Sequence, residues 1–129
     1  MKTTRAMVEL VPGTSIGELR VGAGVKDLPP RAVVAIPGGE LDGIKFVLDE
    51  EDKIDDIWVE DLRTFPRQLT FKGTPIDPQA SIEQLEAVFG KCTRVEGVKG
   101  GIFYNCAAGV TLGTDFAKKK LQIRVKPHQ

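Results

Sequence analysis

The sequence predicts an α+β fold: two tandem helix-plus-antiparallel-meander units sharing one sheet, with the helix packed on one face. Three observations predict it. Apolar residues alternate at the strand period in "GIKFVL" (43–48), "KIDDIWVE" (53–60) and "KLQIRVK" (120–126). One segment, "DPQASIEQLEAVFG" (77–90), carries start and stop signals around a helical apolar stripe. A shift of 66 residues lays "FVLDEEDKIDDIWVE" (46–60) on "LGTDFAKKKLQIRVK" (112–126) without a gap.

The shift matches Gly43 with Gly109, Ile44 with Val110, Phe46 with Leu112, Asp49 with Asp115, Ile57 with Ile123 and Val59 with Val125. This reads as an internal duplication, with unit one over about 15–61 and unit two over about 67–126. Upstream, "GELRV" (17–21) answers "RQLTF" (67–71), and "AVVAI" (32–36) answers "GIFYNCA" (101–107). The first unit has only "VKDLPP" where the second has its helix. Pro29 and Pro30 stop that segment after about one turn, since proline lacks the amide and clashes with the preceding turn.

The second helix has two candidate starts. Asp77 with Pro78 reads as an N-cap followed by proline at the first helical position. Ser81 with Gln84 has capping-box spacing one turn later. Ile82, Leu85 and Phe89 fall on one face with Val88 beside them, and Gly90 supplies the stop. In the strands, Ile44, Phe46, Leu48, Ile57, Val59, Leu121, Ile123 and Val125 point to the core. Asp56, Trp58, Glu60, Gln122, Arg124 and Lys126 point the other way, so one sheet face is dry and the other wet.

Length and composition set the limits. The chain has 129 residues, enough for one domain with a core that needs no metal. No apolar run approaches the ~20 residues that span a bilayer, so no membrane span is expected. "MKTTRAMVELVPG" lacks the apolar region of a signal peptide. The chain is therefore read as cytoplasmic, or periplasmic if a leader was removed. Formal net charge is zero, which speaks against nucleic acid as a partner. The charge is split, however. Residues 1–62 hold 7 Lys and Arg against 13 Asp and Glu, a net −6, and the remainder is +6.

Residues that could carry chemistry are sparse, and the reading is not an enzyme, with no cofactor and no metal. The single histidine, His128, is next to the C-terminus and supports no triad. Two cysteines and one tail histidine have no zinc spacing. "RVGAGVKD" (20–27) and "VKGGIF" (98–103) hold turn glycines and no phosphate loop. The acids Asp49, Glu50, Glu51 and Asp52 sit at a hairpin tip, where burial cannot tune a carboxyl, and they lack the glycine of a calcium loop. Cys92 and Cys106 stay reduced in a cytosolic protein. In an oxidising compartment they are a possible disulfide, closing a loop of about 15 residues.

"LTFKGTPIDPQASIEQLEAVFGKCTRV" followed by a meander resembles the helix-plus-strands unit of the BamE-like and β-lactamase-inhibitor-protein-like folds. The tandem arrangement, over about 15–126, is similar to that inhibitor family and to small bacterial immunity proteins. No individual inhibitory residue carries over. The resemblance implies a non-enzymatic immunity or inhibitor protein that neutralises a toxin or effector by tight association. The alternative is an envelope or assembly-type interaction module, and a small enzyme stands third. The candidate partner surface is the acidic tip Asp49, Glu50, Glu51 and Asp52 with the outward trio Asp56, Trp58 and Glu60. An aromatic anchor ringed by acids suits a basic protein partner.

Overall fold

The computed structural model describes residues 7–96, 101–114 and 120–125. In chain order the elements are β1 (Met7–Val11), β2 (Ser15–Ile16), β3 (Leu19–Arg20), a 3-10 turn (Val25–Asp27), β4 (Val33–Ala35), β5 (Gly38–Leu41), β6 (Ile44–Leu48) and β7 (Ile54–Val59). Then come β8 (Gln68–Phe71), β9 (Thr74–Pro75), α1 (Ile82–Phe89), β10 (Cys92–Glu96), β11 (Ile102–Cys106), β12 (Val110–Thr114) and β13 (Leu121–Arg124).

These strands form two sheets rather than one. The larger has the order β10-β11-β12-β13-β7-β6-β5-β4, and the smaller β3-β2-β1-β8-β9. The α+β expectation is corrected: among the described residues 49% are strand and 10% helical, with a single α-helix. The region expected to form the first helix is only the 3-10 turn, ended before Pro29 and Pro30.

The internal repeat is corrected with it. Residues 15–43 supply two two-residue strands to the small sheet, the 3-10 turn and an edge hairpin, whereas 81–108 supply a helix and two five-residue strands. Only segments with strand-period alternation correspond. Any antiparallel sheet with one dry face imposes that alternation, so matching it identifies a shared sheet face and no shared unit. Asp115, Lys118, Lys119, Lys126, residues 98–100 and His128 lie outside the described residues.

The large sheet is antiparallel throughout, and two tight hairpins set its register. The β5–β6 turn uses Asp42 (φ 51°) and Gly43 (φ 90°), a positive-φ pair that matches strand twist. At Gly39 a Cβ would sit 2.3 Å from the Val33 carbonyl oxygen and 2.5 Å from the Phe46 ring. Glycine is thus what lets β4 close over Phe46. The small sheet is built from distant segments. β1 pairs with β8 in parallel, Val8 opposite Leu69 and Glu9 opposite Thr70. The Glu9 carboxylate accepts from Thr70 Oγ1 at 2.5 Å and from the Lys72 amide at 2.8 Å, bracing that pairing.

The small sheet and α1 cover the dry face of the large one. Val8, Leu10, Ile16 and Leu19 join Ile44, Phe46, Ile57, Leu112 and Ile123 in one buried cluster. Burying such side chains removes apolar surface from water at roughly 25 cal/mol per Å². Helix α1 starts at Ser81, which forms a full capping box: the Gln84 amide donates to Ser81 Oγ and the Ser81 amide donates to Gln84 Oε1. Asp77 instead accepts from the Gln79 amide at 2.8 Å and shapes the preceding turn. Leu85 and Phe89 are buried, with the Phe89 ring 5.0 Å from that of Phe71, while Val88 is exposed.

Candidate interaction surface

Strand β7 is central to the large sheet and carries the expected site. Its neighbours are β6 and, from the far end of the chain, β13. Between Val47 and Leu48 the β6–β7 register slips, so Asp56 faces Val47 while Ile54 faces Leu48. Asp55 is the extra residue of this bulge. The bulge lets Ile54 and Ile57 both reach the core and sends Asp56 and Trp58 to the outer face, as their alternation with Ile57 and Val59 predicts.

On that face the second half of the chain meets the first. Trp58 stands beside Arg124 in the register, and the Arg124 guanidinium lies 4.7 Å from the indole centroid. Arg124 Nε is 3.2 Å from Asp56 Oδ2. The indole N–H of Trp58 donates to Glu60 Oε2 at 2.8 Å, and the Gln122 amide donates to the same oxygen at 3.2 Å. Burial pushes the Glu60 carboxyl up. The bonds from Trp58 and Gln122, with the nearby charges of Lys45 and Lys120, outweigh it and hold the group below its ordinary value. Asp56 is only 5% exposed. It is therefore a seam residue and not a surface acid, which departs from the expected ring of solvated acids. Gln122 and Arg124 were legible only as part of an outward row on another strand, with nothing to say that this row neighbours Trp58.

The four tip acids are brought together but stand apart from this cluster, at the far end of the hairpin. Asp49, Glu50, Glu51 and Asp52 are all exposed. Asp49 Oδ1 accepts from the amides of Glu51 at 2.8 Å and Lys53 at 3.0 Å, which fixes the turn. Asp52 takes the left-handed conformation (φ 59°), and Lys53 approaches Glu51 to 3.8 Å. Beyond Trp58 the surface opens into a groove of about 420 Å³ whose polar lining includes Glu40, Lys45, Glu60, Asp61 and Lys120, with Phe65 at its floor.

Cys92 and Cys106 are directly opposed on β10 and β11 and form a disulfide, with Cα atoms 3.9 Å apart. Of the two states open from the sequence, the oxidised one is observed. The Cys92 amide donates to Glu86 Oε2 at 2.9 Å, tying the start of β10 to α1. A cavity of about 500 Å³ lies between α1 and this part of the sheet, bordered by Arg63, Glu83, Glu86, Tyr104 and Leu121. Among the described residues no group of three His, Cys, Asp or Glu is placed to hold a metal ion. No described helix is long and apolar enough to cross a membrane. No family model, curated protein or solved structure matches the chain.

Proposed function

We propose that this is a non-enzymatic binding protein of the immunity or inhibitor kind, which neutralises a toxin or effector through the outer face of its large sheet. The observation that carries the reading is the half-buried Trp58, held by Arg124 and Glu60 on the outer face of the large sheet. Aromatic and arginine side chains that are ordered before binding lose little entropy on contact, and they dominate measured interfaces. The acidic tip, Asp49 to Asp52, extends the same hairpin and draws in a basic partner from a distance. The reading rests on this surface and not on the likeness to inhibitor-type units.

The test is affinity capture with the wild type and with Trp58→Ala, followed by binding kinetics on the recovered partner at two salt concentrations. The reading requires a 1:1 complex with a basic protein. Trp58→Ala should release it faster, and Glu50→Lys with Glu51→Lys should slow its association. Equal rates for both folded variants would move the interface elsewhere. A second reading, an interaction module of the cell envelope, is favoured by the Cys92–Cys106 disulfide, since such bonds persist in oxidising compartments. Cell fractionation with thiol trapping separates the two: a reduced cytosolic pool removes the support for the envelope.

A further inference from the structure

The seal between α1 and the large sheet is uneven. Leu85 and Phe89 are buried, but Ile82, one turn before Leu85, is only half-buried. On the sheet side, Tyr104 lies in the row of the dry face: the register sets it opposite Leu112, and Leu112 opposite Ile123. Those two are fully buried, whereas Tyr104 is half-buried like Ile82. Both side chains border the cavity of about 500 Å³, and Ala80 and Leu121 add to its apolar wall. Close-packed interiors leave few gaps wider than a water molecule, and small-molecule sites occupy roughly 300–1,000 Å³.

The charge around this cavity has a definite sign. Glu83 and Glu86 both border it. They stand three residues apart on one helix, so their side chains are neighbours, and like charges so placed repel. Ile82 and Glu86 are four apart, so one helix face carries both the apolar contact and the charge. Among the described residues neither glutamate has an ion-pair partner. Glu86 uses Oε2 to accept from the Cys92 amide, which leaves Oε1 for another donor. Arg63 is the one cation among the described lining residues, and it already has a partner.

We propose that this cavity is a binding site for a small organic cation, an ammonium group carried on an apolar or aromatic body. The body packs against Ile82, Tyr104 and Leu121 and covers the apolar surface that α1 leaves half-exposed. The ammonium group stands between Glu83 and Glu86 and relieves their repulsion. It also lies within reach of the Tyr104 ring, whose π face attracts cations. A neutral molecule of the same shape gains only the apolar part. An anion meets two carboxylates and a guanidinium that is already engaged. The charge of the wall therefore selects the sign of the ligand, and its apolar part selects the body.

The test uses three probes of one shape and different charge: phenethylamine, phenethyl alcohol and phenylacetate. Each is titrated at about pH 7, where the amine is a cation, and at constant ionic strength. Binding is read from assigned backbone amide shifts by NMR. Phenethylamine should shift Ile82, Tyr104 and Leu121 saturably, with a Kd of about 1 mM, as suits so small a ligand. The alcohol and the acid should bind about fivefold more weakly or less. Glu86→Gln keeps an oxygen for the Cys92 amide while removing the charge, and Glu83→Gln leaves that bond untouched. Each should weaken the amine about threefold, and the double variant should bind amine and alcohol alike. Glu83→Gln, on an exposed position, serves if a Glu86 variant does not fold. The control Glu50→Gln, at the hairpin tip, should bind as the wild type does. No saturable shift at these amides, equal affinity for the three probes, or folded glutamine variants that keep the preference for the amine would each overturn the proposal. None of these results depends on the Trp58 surface, so the partner reading stands or falls separately.

Discussion

Replacing Arg124 with methionine tests the seam between the two halves of the chain. The change keeps the length of the side chain and its apolar stem but removes the guanidinium. Two interactions are lost: the 3.2 Å ion pair with Asp56 and the stacking at 4.7 Å on Trp58. An exposed ion pair is worth ~0–1 kcal/mol, whereas removing one partner of a fully buried pair costs ~3–5 kcal/mol. This pair lies between those limits, because the Asp56 side chain is 7% exposed and that of Arg124 29%. The stacking adds ~0.5–1 kcal/mol. The expected loss is therefore about 2–3 kcal/mol, or a fall in Tm of roughly 10 °C for a chain of this size. Trp58 is the only tryptophan, so its emission reports the seam directly in a denaturant titration. The variant should unfold at lower denaturant, and its native emission should shift as the ring is uncovered. Asp56→Asn made in the Arg124→Met background should cost less than in the wild type, with a coupling of at least ~1 kcal/mol. An unchanged midpoint with unchanged native emission would show that the contacts at Arg124 do not hold the sheet together.

Three further outcomes are expected. Leu85→Ala should cost about 2–5 kcal/mol in chemical denaturation, because Leu85 is 1% exposed on α1, and an unchanged midpoint would put the helix's packing face elsewhere. Reducing Cys92–Cys106, whose residues are 14 apart, should cost about 3 kcal/mol and raise hydrogen exchange first in β10, which among the described strands pairs with β11 alone. Mass-spectrometric exchange that leaves β10 as protected as before would refute this. Glu60 has a lowered pKa in the fold, so its contribution is present above the ordinary carboxylate value of 4.5 and is lost as pH falls through the lower folded value. Tm measured down to about pH 3 should therefore fall less in Glu60→Gln than in the wild type, and parallel curves would count against the Trp58 and Gln122 bonds.

Strand period and helix caps were legible because their signals are local. The alternation of Ile44, Phe46 and Leu48, and of Leu121, Ile123 and Val125, marks strands whose buried sides are as expected. The Ser81 capping box is spelled by residues three apart. The small sheet was not legible. β2, β3 and β9 have two residues each, too few to show a period, and β1 finds β8 some 60 residues away in parallel. The same limit produced the false repeat, since residues 43–60 and 109–126 share the pattern of strands with one dry face and the chain between was forced to match. At the candidate site the outward phase of Trp58 was readable, but its cover was not. Nothing near residue 58 signals that residue 124 will lie beside it.

That distant cover also explains where part of the charge asymmetry goes. The acidic first half and the basic second half meet along β7 and β13, where Asp56 takes Arg124 and Glu60 takes Gln122 under the influence of Lys120. Just beyond, Asp61 Oδ1 accepts from the Leu121 amide at 3.2 Å, and the Leu62 amide donates to the Leu121 carbonyl at 2.7 Å. Opposite charges at this junction favour the pairing of strands more than 60 residues apart in sequence. The acids of the seam are thus committed to holding the sheet. Those at the tip have a different role. Asp49 shapes its own turn, while Glu50 and Asp52 project into solvent at the end of a rigid hairpin. On the proposed reading the tip is what a basic partner meets, so neutralising Glu50 and Glu51 should alter association without the loss of stability expected at Arg124.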